Sequence, residues 1–151
     1  QLCGSVVRNI ATLAEKELLK PRKGGNLNGF PPFSFIPTTA TMKTKQKEIQ
    51  NKVSALIRHV AKSLGYDEIP VPKVYFRKGM TRTAGYTSFR LGAIVLSSHY
   101  YSINEKKFNF VILHEVGHWL SYEIYGEADH GAAWQLMCVY LGIKPKLIYT
   151  F

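Results

Sequence analysis

The segment His114-Glu115-Val116-Gly117-His118 constrains this chain more than any other stretch. It lies inside the run 108–125, whose apolar spacing predicts a helix. On a helix, positions i and i+4 share one face, so both imidazoles can reach a single ion. Glu115 directly follows the first histidine, where its carboxylate can reach a water beside that ion. Two histidines and a glutamate in this H-E-x-x-H spacing imply a zinc-dependent hydrolase, usually a peptidase. Two ligands are not enough, because a catalytic zinc usually takes three from the protein.

The third ligand has several candidates. The long form of the motif needs Gly at position 121 and His at 124, and Ser121 and Ile124 exclude it. Glu123 sits on the same helix on a poor face, and Glu127 lies past the Gly126 break. His130 is the better candidate. It falls twelve residues after His118 at the start of the next predicted helix. A turn of that length lets the second helix pack back on the first. The plain alternative for His130 is a surface histidine beside Asp129.

The rest of the chain reads as follows. Residues 5–20 have helical apolar spacing, and 24–41 are rich in Gly and Pro, with Phe30, Phe33 and Phe35 among them. Three phenylalanines in six residues suit packing on a domain or a partner. Residues 42–64 form an amphipathic helix with Ile49, Val53, Leu56, Ile57, Val60, Ala61 and Leu64 on one stripe. Lys43, Lys45, Lys47, Lys52, Arg58 and Lys62 supply its polar face, Gly65 its cap, and His59 reads as a surface residue. Val74 to Phe76 read as a strand, and 84–89 with 92–97 as a hairpin turning near 90–92. An exposed hairpin edge can hold an extended peptide by main-chain hydrogen bonds. Ser102 with Glu105 fits a capping box that starts the motif helix near 103–104. Phe110, Val111, Leu113, Val116, Leu120 and Ile124 are expected to pack around that helix, and Gly117 to let another element approach closely. The helix stops at Gly126. A last helix follows Asp129 as N-cap, with Ala133, Trp134, Leu136, Met137, Val139, Tyr140 and Leu141 as its apolar positions, and ends at Gly142. The organisation is therefore an N-terminal helix and Gly/Pro/Phe-rich extension over 1–41, then one domain over 42–151. Its fold class is α+β, with helices packed on a small antiparallel sheet or hairpin.

The net charge of +10 is unevenly spread. Residues 71–107 carry +6, whereas 108–151, with the motif, carry −2. A basic surface favours anionic partners, nucleic acid first among them. In this segment Arg77, Lys78, Arg82 and Arg90 alternate with Tyr75, Phe76, Tyr86 and Phe89, a mixture that can hold phosphates and stack exposed bases. The plain alternative makes the aromatics the core face of a sheet and the basic residues its wet face. Two cysteines, Cys3 and Cys138, make no disulfide framework. No stretch is long and apolar enough to span a membrane. Gln1-Leu2-Cys3 shows no secretory signal, so the expected location is intracellular, in cytoplasm or in nucleus or nucleoid.

The run His114–His118, then His130-Gly131-Ala132-Ala133-Trp134, then Met137 and Leu141-Gly142, resembles the SprT-like (Spartan-type) zinc metallopeptidases. Thr83-Ala84-Gly85 and Ile94-Val95-Leu96-Ser97 resemble the family's hairpin, and the likeness covers roughly residues 42–145. It implies a minimal zincin-like fold, His114, His118 and His130 as zinc ligands, and Glu115 as the catalytic residue. It also implies action on DNA-associated proteins.

The expected function is peptide-bond hydrolysis by a zinc-activated water with Glu115 as general base. Tyr100, Tyr101 and Arg90 are conceivable oxyanion donors. The expected partners are a protein or peptide substrate, single-stranded DNA at the basic 71–107 segment, and a protein docking at Phe30–Phe35. The competing expectation is a non-enzymatic, virion-type structural or interaction component that keeps a zinc-bound fold. Glu115 argues against it, since a purely structural site needs no base.

Overall fold

The computed structural model describes residues 40–146. The expected helix over 5–20 and the Phe30–Phe35 docking segment lie outside the described residues. Helix α1 spans Ala40–Leu64. Its buried positions Ile49, Val53, Ile57, Val60 and Ala61 recur at helical spacing, and its lysines face water. Gly65, at φ 77°, ends it in the left-handed conformation.

Three strands follow: β1 (Lys73–Arg77), β2 (Gly85–Ser88) and β3 (Ala93–Ser97). Their order is β1-β3-β2. The expected hairpin is present, with β2 antiparallel to β3 and Thr87 opposite Ile94. The sheet is nevertheless mixed, because β1 joins β3 in parallel, Val74 opposite Ile94. All five β3 residues are buried. A central strand covered on both faces reads as a continuous apolar run, as Ala93-Ile94-Val95-Leu96 does.

A short helix, α2 (Ser98–Ile103), intervenes before the motif helix α3 (Glu105–Tyr125). The residue between them, Asn104, caps α3 by accepting from the Lys107 amide at 2.9 Å. Ser102 is not that cap. Its hydroxyl donates to the His99 carbonyl within α2. The extra turn of helix consumes Ser102 and moves the start of α3 to the next polar residue able to cap.

Helix α3 is buried nearly all round, as a central helix must be. It contacts β2 and β3, α1 and α2, and helix α4 (Ala132–Tyr140). Gly126, at φ 72°, terminates it. Phe110 and Val139, expected in the core, are about half exposed at 48% and 47%. Each lies on an apolar run that continues past the edge of its buried face. The core divides into a large cluster between α1, the sheet and α3, and a small one of Trp134, Cys138 and Ile143. The small cluster lies under the histidines.

Candidate metal centre

His114 and His118 project one helical turn apart from α3, with ring centroids 5.0 Å apart. His130, two residues before α4, brings its ring to 5.1 Å from His114 and 4.5 Å from His118. Its Nε2 lies 3.1 Å from the Nε2 atoms of both. Ligand nitrogens on a tetrahedral ion at about 2.0–2.1 Å would stand about 3.3 Å apart. An imidazole N–H can donate to only one neighbour, so mutual hydrogen bonding cannot satisfy all three rings. A shared cation can. Among the described residues these three form the one cluster of His, Cys or acidic groups able to hold an ion.

Burial keeps the site ready for a cation. It pushes the His114 and His118 imidazoles down to about 4, and their histidine neighbours add to the shift. Neutral imidazole is the form that ligates. Glu115 is also buried, and desolvation pushes its carboxyl up to about 7 despite a hydrogen bond from Thr87. The Thr87 hydroxyl lies 2.8 Å from Glu115 Oε2 and 3.0 Å from the Glu115 carbonyl. Thr87 sits on β2, so the hairpin aims the carboxylate.

Trp134 forms the floor. It is 1% exposed, and its ring meets all three imidazoles, at centroid distances of 4.9, 5.4 and 4.4 Å from His114, His118 and His130. Its indole N–H donates to the His114 carbonyl at 3.4 Å. Gly117 makes room for this. A Cβ there would stand 3.2 Å from the indole nitrogen and 3.5 Å from Cys138 Sγ. The expected close approach at Gly117 is thus made by Trp134. Burial pushes the Cys138 thiol up to about 12, so it stays protonated and serves as packing.

The other candidates separate cleanly. Glu127 spends Oε1 on the amides of Ala133 and Trp134, outside the histidine cluster. Asp129 does not N-cap α4; it accepts from the Gly131 amide, and Gly131 holds the cap position with no side chain to offer. Tyr100 and Tyr101 spend their hydroxyls on the Thr81 carbonyl and on Glu105. Tyr101 also packs edge-on against Phe76 and Phe108, as a structural residue would.

Arg77, the last residue of β1, and Lys78 and Arg82, between β1 and β2, are exposed. Arg90 lies in the β2–β3 turn, at the opposite end of β3. A five-residue strand puts roughly 15 Å between those ends, so the four basic residues do not form one cluster. Phe76 is buried, and Phe89 stacks on Tyr122 at 4.2 Å and faces Trp119. Both serve the core, so neither is a base-stacking surface. Tyr75 and Tyr86 are half-buried.

Two functional contacts escaped sequence reasoning. Thr87 is the one β-branched residue of the four-residue strand β2, and nothing local marks its contact with Glu115. Glu127, a weak ligand candidate past the Gly126 break, instead reaches six and seven residues ahead to the Ala133 and Trp134 amides, a contact that no local spacing marks.

A helix bearing H-E-x-x-H, backed by a mixed sheet and joined by a histidine ahead of the next helix, has the layout of a single-ion, zincin-like centre. The SprT-like family model matches residues 47–146, and the chain belongs to that family. No solved structure matches the chain. Among the described residues, no helix is long and apolar enough to cross a membrane.

Proposed function

We propose that this protein is a zinc-dependent metallopeptidase with His114, His118 and His130 as ligands and Glu115 as general base. The observation that carries the reading is the convergence of three imidazoles at a helix that also buries Glu115, the residue directly after His114, with its carboxylate held by Thr87. When bound, zinc supplies a Lewis acid that polarises a carbonyl and makes nearby water more acidic. Glu115 takes the proton of the attacking water as the new C–O bond forms. It then delivers that proton to the amine nitrogen as the C–N bond breaks. A structural zinc site has no use for a carboxylate in this position, which disfavours the non-enzymatic reading.

The test is proteolysis with and without chelator, on wild type and Glu115→Gln. Chelation should stop cleavage and added zinc restore it. Glu115→Gln should bind zinc and not turn over. Proteolysis retained by that variant overturns the assignment.

The substrate reading is a protein held on DNA. Its support is the exposed Arg77 at the end of β1 with Lys78 and Arg82 on the connection that follows. Cleavage should rise when single-stranded DNA is added, and a gel shift should weaken with salt. No shift at low salt rejects the nucleic-acid half and leaves the hydrolytic half standing.

A further inference from the structure

Helix α4 begins in an unusual way. Its cap residue, Gly131, has no side chain, yet the first free amides of a helix need acceptors. Glu127 supplies one from four residues upstream. Its Oε1 accepts from Ala133 N at 3.0 Å and Trp134 N at 3.2 Å. These are the amides that an Asp or Ser at the cap would normally serve. The charge also suits a helix N-terminus.

The same carboxylate explains the glycine. Gly131 has φ −72° and ψ −162°, a conformation open to any residue, so the backbone does not require glycine there. Space does. A Cβ at 131 would lie 2.6 Å from Glu127 Oε1, 2.7 Å from its Cδ and 2.8 Å from Oε2. A larger residue could be accommodated only by swinging the carboxylate off the α4 amides. The other end of this connection is also fixed, since Ser121 Oγ donates to the Glu127 carbonyl at 2.8 Å. His130 is the residue between these anchors. Trp134, whose amide Glu127 holds, is the residue its ring packs against.

We infer that Glu127 is a positioning residue for His130: by capping α4 from outside and filling the space over Gly131, it fixes the third imidazole onto His114 and His118. The inference rests on the metal reading above and adds the reason why a glycine must follow His130. Glu127 lies outside the histidine cluster, with Oε1 on the Ala133 and Trp134 amides. Its effect passes through the start of α4.

The experiment is zinc titration of the metal-free full chain against a chromophoric chelator, with circular dichroism to confirm folding. Outer partners of metal ligands typically change affinity by about tenfold to a hundredfold, and Glu127→Ala should fall in that range. Glu127→Gln keeps an acceptor at Oε1 and should stay within about threefold of wild type. Gly131→Ala should weaken zinc by about tenfold or more, through displacement of the carboxylate. The double variant, Glu127→Ala with Gly131→Ala, should bind no more weakly than Glu127→Ala alone, because the clash has gone. With cobalt in place of zinc, Glu127→Ala should alter the visible absorption of the ion, a change that a general loss of stability would not cause.

Wild-type affinity and an unchanged cobalt spectrum in a folded Glu127→Ala protein overturn the inference and leave the metal centre intact. Failure of the wild type to bind zinc overturns the metal reading, and this inference with it. If Glu127→Ala does not fold, Gly131→Ala decides: wild-type affinity there overturns the inference.

Discussion

The Thr87 hydroxyl stands 2.8 Å from Oε2 of Glu115, linking the hairpin to the helix that carries the histidines. A hydrogen bond to a charged group is worth about 1.5–3 kcal/mol, enough to set where a buried carboxylate points. Thr87→Val keeps the shape and removes the donor. It should lower kcat by about tenfold or more with little change in KM, and Thr87→Ser should recover most of the loss. Steady-state peptide hydrolysis by the zinc-loaded protein measures both. Equal activity in Thr87→Val would reduce this contact to packing.

A second device acts at the sheet edge. The Gln50 side chain on α1 accepts from Val74 N at 2.8 Å and donates to the Pro72 carbonyl at 3.0 Å. One amide thereby imitates a neighbouring strand along the outer side of β1. Edges left unpaired are open to other chains, and buried groups left unpaired are costly. Gln50→Leu should destabilise the fold by about 1–3 kcal/mol in urea denaturation and promote association at high concentration.

Gly117 poses a contest of two effects. Alanine in a helix interior is favoured over glycine by about 1 kcal/mol. Overpacking a filled core costs about 1–3 kcal/mol. Here the obstructing neighbour is Trp134, fully buried and in contact with all three imidazoles, so it cannot yield without moving them. Gly117→Ala should therefore lose about 1 kcal/mol net in stability and a larger factor in zinc affinity. A variant more stable than wild type with unchanged zinc binding would contradict this.

The parts legible in the sequence were those written in local spacing. Period-3.6 stripes located α1 and α3, Gly65 and Gly126 marked their ends, and the five-residue motif put two imidazoles on one face. The place of His130 after the Gly126 turn made it the better third candidate, and the resemblance reinforced it. What stayed hidden was set by contacts between distant residues. The parallel pairing of β1 with β3 has no local signature, since a parallel partner is chosen by tertiary packing. The role of Thr87 depends on a contact 28 residues away in sequence. Asp129 met the local rule for an N-cap, but Glu127 supplied the cap from outside that rule's window. The basic and aromatic residues of 71–107 could not be assigned to a face from composition, and burial gave Phe76 and Phe89 to the core.

Acid should destabilise the metal-free protein, and the three groups with large shifts at the histidine helix set the main window, with Glu123, also raised by burial, adding to the Glu115 side. His114 and His118 are held down to about 4 in the fold, against an ordinary value of 6.5. Their contribution is fully present above pH 6.5 and is lost as pH falls through that value toward 4, because the unfolded chain takes up protons that the fold refuses. Glu115 acts the other way. Its folded carboxyl sits at about 7 against an ordinary 4.5, so it gains stability for the fold as pH falls from 7 to 4.5. Among the three large shifts, two histidines oppose one carboxylate. Between pH 6.5 and 4.5 the unfolded chain binds about one more proton net, and stability declines as pH is lowered. Below 4.5 the Glu115 effect is exhausted, and the decline should steepen until pH 4. Urea titrations of chelator-treated protein at half-unit steps from pH 7 to 4 would show this profile. In the Glu115→Gln variant the opposing contribution is absent, so the decline should already be steep at pH 6. A flat profile in both proteins would mean that the imidazoles are not held neutral by the fold.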